Sequence, residues 1–321
     1  MSAPKVSVAM VTYNHEPYVS QAIASVLAQK ADFDYELVIG EDCSTDRTRE
    51  ICENYARDFP RVIRLLTSEK NLGVKANAVR TLNACNGEYL AILDGDDYWT
   101  SPYKLQSQVD LMDRQSEHAV SFHDVSVISD DSTEEPRIWP GDRIGEVTTV
   151  DDILNEYFML SSSIVVRRSD VIPVPPWALP TFGDFTLAVL AAQHGTIHHL
   201  NETMSVYRMH STGVWTSLSP ERKHAALRDS LLGIAVNLPD LPIDALRNAY
   251  KGDYSTARAL QEAGDSKAAR ERLWPALPGL VRYRAVPARD LLQLVVYSHF
   301  PAAARAQLAV RRSIRALLRG K

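Results

Sequence analysis

Apolar residues in the first 130 positions follow two alternating rhythms. Lys5–Val11, Tyr35–Gly40, Val62–Leu66 and Tyr89–Leu93 are short, nearly unbroken apolar runs. Such runs read as strands covered on both faces, as in a parallel sheet. Between them the apolar positions recur at helical spacing, with Val19, Ile23, Val26 and Leu27 as the first set. Thr48–Arg57 and Val74–Ala84 read as the second and third helices. Ser101 and Pro102 look like an N-cap and a first helical residue, ahead of Leu105, Val109 and Met112 on one face. Strands and helices alternating over short connections predict βαβ units and a parallel sheet.

The pattern loosens after Val120. Val125–Ser129 and Ser163–Arg167 read as strand pieces around a polar stretch, Asp130 to Asp152, that reads as loop. Pro173, Pro175, Pro176 and Pro180 break regular structure ahead of Gly183-Asp184-Phe185. A short helix, Thr186–Gln193, and strand pieces at Thr196–Leu200 and Met204–Tyr207 are expected next. From Pro220 the segments are helical with alanine-rich faces, for example His224–Val236 and Tyr254–Ala263. The expected organisation is one α/β domain over 1–217 and a helical C-terminal region over 218–321.

Composition changes this picture little. The 321 residues are 45% apolar and 23% charged, as in an ordinary soluble globular protein. A formal charge of −5 gives no global reason to expect nucleic-acid binding. Three cysteines without C-x-x-C spacing argue against a disulfide framework or a zinc site, and favour a reducing, cytoplasmic setting. No signal peptide or membrane-spanning run is expected. The end of the chain is distinctive, because 301–321 holds six basic residues and no acidic ones. Leu308, Val310, Ile314, Leu317 and Leu318 interleave with them at roughly helical spacing. Such a basic amphipathic helix suits either packing on the domain or peripheral contact with an anionic membrane face.

The most informative segment is 88–97, Glu-Tyr-Leu-Ala-Ile-Leu-Asp-Gly-Asp-Asp. A buried strand here delivers Asp94, Asp96 and Asp97 to its carboxyl end, where ligands bind in open α/β sheets. Three crowded carboxylates repel unless a cation joins them, and oxygen ligands suit a hard divalent ion.

Several ordered motifs are similar to those of the family 2 glycosyltransferases, inverting enzymes of the GT-A fold. Val11-Thr12-Tyr13-Asn14 closes the first strand and Glu41-Asp42-Cys43-Ser44-Thr45-Asp46 the second. Asn71-Leu72-Gly73 follows the third strand, and Leu93-Asp94-Gly95-Asp96-Asp97 the fourth. Gly183-Asp184 and Tyr207-Arg208-Met209-His210 come later, so the likeness covers Lys5 to about Trp215. The resemblance implies a Rossmann-like, mostly parallel mixed sheet flanked by helices, here with a C-terminal helical appendage.

It also implies site roles. Thr12, Tyr13, Asn14, Glu16, Asp42, Asn71, Gly73, Asp94 and Gly95 would meet the nucleotide, Asp42 on the base and Asp94 near the ribose. Asn71 and Gly73 also suit an ordinary surface turn, and Asp46 reads mainly as a helix cap. Asp96 and His210 would hold magnesium or manganese, with Asp97 supporting the loop, sharing the ribose or metal contact, or serving the acceptor site or a lid. Asp184, at a helix N-terminus that favours its ionised form, would be the general base. Arg208 could meet phosphate or pair with a carboxylate. Trp215 could belong to a mobile loop over the donor or simply pack; Trp99 could stack on a sugar, although packing fits better.

The implied activity is transfer of one sugar from a nucleotide-diphosphate sugar, UDP-linked by preference, to a hydroxyl acceptor. Cell-surface glycans, lipid-linked sugars and secondary metabolites are all compatible acceptors. Cys43 stands where many family members carry glycine, and Gly183 stands where a first carboxylate often precedes the base. No Q-x-x-R-W motif is present, which argues against a processive synthase. Rival readings are a sugar nucleotidyltransferase, which lacks support from a glycine-rich basic first loop, and a non-catalytic nucleotide-sugar-binding module.

Overall fold

The computed structural model describes residues 3–130, 135–238, 243–282 and 285–299. The basic segment 301–321, and with it the amphipathic-helix reading, lies outside the described residues. The chain divides into two compact units, Met1–Ser217 and Leu218–Lys321.

In the first unit, β1 (Val6–Thr12), β2 (Tyr35–Glu41), β3 (Ile63–Leu66) and β4 (Tyr89–Asp94) alternate with α1 (Val19–Leu27), α2 (Thr48–Asp58) and α3 (Val74–Ala84). β1 lies between β2 and β4, all parallel, with β3 beyond β2. The register pairs Thr12 with Glu41 and Val11 with Asp94, so the carboxyl ends of three strands align at one edge. Val6, Val8 and Met10 pack with Leu37, Ile39, Tyr89, Ala91 and Leu93 in one core. Val19, Ile23 and Val26 of α1 and Leu105, Val109 and Met112 of α4 (Lys104–Arg114) join them. α4 starts two residues later than Ser101 and Pro102 suggested. The Pro102 carbonyl accepts the Lys30 N–H at 2.7 Å, and the Ser101 hydroxyl closes a turn onto the Tyr103 N–H at 3.3 Å.

The second half of the sheet is mixed. β5 (Tyr98–Trp99), β6 (His118–Ser129), β7 (Arg137–Trp139), β8 (Val147–Thr148), β9 (Val165–Arg167) and β10 (Thr196–Met209) complete ten strands. β9 is antiparallel to both β4 and β6, while β6 and β10 are parallel. The two pieces expected at 196–200 and 204–207 are one strand, β10, whose register against β6 shifts around Leu200, Thr203 and Ser205. The 130–152 stretch is not all loop. β7 pairs with β6, β8 with β10, and α5 (Val150–Asn155) opens where the Asp152 carboxylate accepts the Thr149 N–H at 2.8 Å. Short polar pieces of this kind carry little hydrophobic period, and their pairing partners are distant in sequence.

The second unit contains α7 (Pro220–Asn237), α8 (Ile243–Glu262), α9 (Ser266–Arg282) and α10 (Ala288–His299); α6 (Asp184–Ala192) belongs to the first. Ala257, Leu273, Ala276, Leu280, Leu291 and Leu294 form its core. Buried Asp253 is neutralised by Arg272 at 2.7 Å and Arg228 at 3.2 Å. No described helix is long and apolar enough to cross a membrane.

Candidate active site

Two loops are stitched together at the carboxyl edge of the sheet. The Asn14 N–H donates to the Ser44 hydroxyl at 3.0 Å, and the Asn14 side-chain oxygen accepts the Thr45 N–H at 2.8 Å. The Glu16 N–H donates to Asp46 at 3.1 Å, and the Glu16 carboxylate accepts the Arg47 N–H at 3.1 Å. Asp46 also accepts the Thr48 N–H at 2.9 Å, the capping duty expected of it. The side chains of Asn14 and Glu16 are thus engaged in holding the loop after β2. Cys43 adopts φ 61°, the left-handed conformation a glycine would take freely. An L side chain there costs about 1–2 kcal/mol, which this network must offset.

Asp42 is buried and accepts the Leu72 N–H at 2.8 Å and the Gly73 N–H at 2.9 Å. Two motifs separated by thirty positions in sequence are therefore one structure, with Gly73 at φ 85° capping α3. The Asn71 side-chain oxygen shares the Gly73 N–H at 2.8 Å. Tyr13 is exposed.

Gly95 is required by crowding. Its N–H donates to the Val11 carbonyl at 2.9 Å, and a Cβ there would lie 2.6 Å from the Thr12 hydroxyl. The carboxylate oxygens of Asp94, Asp96 and Asp97 that flank it lie within 4.8 Å of one another. β5 follows immediately and pairs antiparallel with β10, Val206 opposite Tyr98. This pairing carries Arg208 and His210 back to the acidic turn. His210 Nε2 lies 3.0 Å from Asp96 Oδ2, and its Nδ1 is oriented by the Thr212 hydroxyl at 2.9 Å. His15 Nε2 lies 3.5 Å from the same Asp96 oxygen.

The electrostatics separate the three carboxylates. Burial and the neighbouring Asp96 push Asp94 up to about 7, against the 2.7 Å hydrogen bond from the Ser161 hydroxyl. Burial, then Asp96 and Asp94, hold Asp97 well above the usual range. Asp96 goes the other way. Burial opposes ionisation, but the His210 hydrogen bond and the His15 and His210 charges hold it below the usual range. His210 is raised in turn by its hydrogen bond to Asp96. One strongly ionised carboxylate with two neighbours reluctant to ionise is the state of a site short of positive charge. The donor set, carboxylate oxygens and one oriented imidazole, fits magnesium or manganese.

Arg208 and Trp99 belong to the scaffold. The Arg208 N–H donates to Asp97 at 2.9 Å, and its guanidinium donates to the Asp96 carbonyl at 2.6 Å and to Gln21 at 2.5 Å, between the Tyr18 and Tyr98 rings. It braces the acidic turn and is mostly buried, so the phosphate alternative gives way. Trp99 is buried in the core, with its indole N–H on the Ser162 carbonyl at 2.9 Å and Lys104 Nζ 4.3 Å from its ring centre. It packs, and offers no face to a sugar. Asp97 is likewise fully buried and lines no lid. Trp215 is half-exposed.

Asp184 is the first residue of α6, preceded by the extended Gly183, so the helix starts two residues earlier than the expected Thr186. Its Oδ1 accepts the Phe185 N–H at 2.8 Å. Burial raises its pKa, against the Phe185 N–H and the Tyr157 hydroxyl. The helix terminus therefore only partly offsets burial. Asp184 in turn helps raise Asp94, which places the two carboxyls within each other's field.

The sequence reading missed His15, Ser161, Tyr157 and Gln21. His15 carried a signal in its place beside Asn14; the others reach the site only through contacts distant in sequence.

Residues 7–172 match the model of the family described as Glycosyl transferase family 2. The chain belongs to that family. It is 38% identical over 222 residues to an uncharacterized protein of Mycobacterium tuberculosis, covering 68% of this chain and 62% of that protein. The match thus spans less than two thirds of that relative's length. It is 30% identical over 210 residues to the putative teichuronic acid biosynthesis glycosyltransferase TuaG of Bacillus subtilis, covering 64% of this chain and 79% of TuaG. Among solved structures, S. aureus TarS 1-349 in complex with UDP matches with a TM-score of 0.61 at 20% identity, over 92% of this chain and 87% of that one. The mannosyltransferase PcManGT of Pyrobaculum calidifontis, in complex with GDP-Man and Mn2+, matches with a TM-score of 0.52 at 16% identity, over 99% and 84%. At these identities the structural likeness shows the fold, a GT-A glycosyltransferase fold.

Proposed function

We propose that this family member is an inverting, metal-dependent and non-processive glycosyltransferase, moving one sugar from a UDP-sugar to a hydroxyl acceptor. The observation that carries this reading is the acidic turn Asp94–Asp97 at the end of β4, with His210 3.0 Å from Asp96 and Asp184 close enough to perturb Asp94. Asp42 and the 71–73 turn hold the base end of the donor, and Asp94 meets its ribose. Asp96 and His210 would hold magnesium or manganese, which when bound neutralises diphosphate charge as the leaving group departs. Asp184 takes the proton of the acceptor hydroxyl while that oxygen attacks the anomeric carbon from the side opposite the diphosphate. Arg208 keeps the acidic turn in place for both.

Support for uracil as the base comes from the TarS structure in complex with UDP. Support for a cell-surface glycan comes from the teichuronic acid naming of TuaG. The first unit carries the transfer, with cytoplasmic action near a membrane face as the setting.

A thermal-shift screen of nucleotide sugars with and without manganese tests the reading, because only a bound donor stabilises the fold. A UDP-sugar should raise the melting temperature only with manganese, and Asp96→Ala should abolish that rise. Slow donor hydrolysis should accompany binding; binding without any hydrolysis would favour a non-catalytic nucleotide-sugar module.

A further inference from the structure

We propose that Tyr157 is a positioning residue for Asp184, donating its hydroxyl hydrogen to the carboxylate from a second element and fixing the carboxylate plane. This rests on the reading of Asp184 as the base. Gly183 contributes no side chain, and a Cβ built there meets nothing within 4 Å. The Phe185 N–H, at 2.8 Å, is the one well-aligned hydrogen bond that Asp184 receives among the described residues. A single donor leaves a carboxylate free to turn about its Cβ–Cγ bond. A proton acceptor that must meet an incoming hydroxyl needs a fixed lone pair.

Tyr157 lies just past the end of α5, and α5 packs against α6. Its ring meets the Phe185 ring edge-on, with centroids 5.3 Å apart at 86°. That contact directs the ring to the first turn of α6. The hydroxyl is buried and has no hydrogen-bond partner of ordinary geometry among the described residues, and Asp184 is the group whose charge it feels first. A buried donor left without a partner suits a site whose hydrogen bonds tighten once the substrate arrives. Burial, then Asp184 and Asp94, push the phenol well up, so the hydroxyl is a donor at working pH. Asp94 from β4 and Tyr207 from β10 are the other titratable groups that share the field of Asp184.

A buried hydroxyl without a full partner is unfavourable, so phenylalanine at this position would fold at least as well if packing were the purpose. The test exploits this. Protein labelled with 13C at the aspartate carboxyls is titrated by NMR without ligand, the Asp184 signal being assigned from Asp184→Asn. In Tyr157→Phe the Asp184 midpoint should rise by roughly one pH unit, because a donor to the charged form has gone. The melting temperature should stay level or increase. An unmoved midpoint overturns the proposal, whatever the melting temperature does. Failure of the proposed function would show instead in the donor assay on the unaltered protein.

Discussion

Replacing Asp94 by Asn should stabilise the metal-free protein, and increasingly so as pH rises. Asp94 has a folded pKa near 7 against an ordinary value of 3.8, with burial as the first cause and Asp96 as the second. At pH values under 3.8 both folded and unfolded chains hold the proton and nothing is lost. Between 3.8 and about 7 the unfolded chain has released it while the folded chain keeps it, so stability falls by about 1.4 kcal/mol per unit. Above about 7 the cost is complete. From pH 5.5 to pH 8 the wild type therefore loses about 2 kcal/mol through this group, nearer 1 if Asp96 and Asp97 share the proton. Asparagine keeps an oxygen to accept the Ser161 hydroxyl, now 2.7 Å from Asp94, and carries no charge. Urea denaturation in EDTA at the two pH values reads the difference. The Asn variant should gain about 1–2 kcal/mol over wild type between them. With saturating manganese the difference should shrink, since a cation held by Asp96 and His210 relieves the same repulsion on Asp94. A gain at pH 8 no larger than at pH 5.5 would refute the claim that this carboxylate is held against its own charge.

Asp184→Asn should keep the manganese-dependent thermal shift with a UDP-sugar but lose about 10²–10⁴-fold in donor turnover; loss of the shift would count against the base role. His210→Ala should weaken manganese affinity about 10–100-fold, read by titrating the metal in the same thermal-shift assay, and equal affinity would remove His210 from the metal set. Trp99→Ala should cost about 3–5 kcal/mol in urea denaturation, while Trp99→Phe should leave donor affinity unchanged; a stable Ala variant with impaired sugar binding would restore the stacking role. Gly95→Ala should cost about 1–3 kcal/mol, because the added methyl meets Thr12 at 2.6 Å, and an unchanged melting curve would show that the loop after β1 yields freely.

The regular first half of the fold was legible because each strand there is a short apolar run and each helix an amphipathic period. Elements α1 and α3 were expected at the residues observed, and β1, β2 and β4 to within a residue. The edge strands β7 and β8 escaped because two or three residues cannot establish a period, and pairing with β6 and β10 alone makes them strands. α4 began late because the Pro102 carbonyl is taken by a distant N–H. Trp99 illustrates the same limit within the site. Its place after the acidic turn allowed stacking on a ligand, and only burial against Lys104 and Ser162 decided for the core.

The amino-acid order alone set the positions of the acidic turn and the glycine within it, because a buried strand must end where its polar residues begin. It also kept Asp42 next to a strand end and Asp184 next to a helix start. Folding decided which of these groups meet. β5 doubles back onto β10, and that antiparallel pairing brings His210 to Asp96 across more than a hundred residues. The same long-range packing sets how much water each carboxylate sees, and so which is ionised: Asp96 by its histidines, while Asp94, Asp97 and Asp184 are held back by burial.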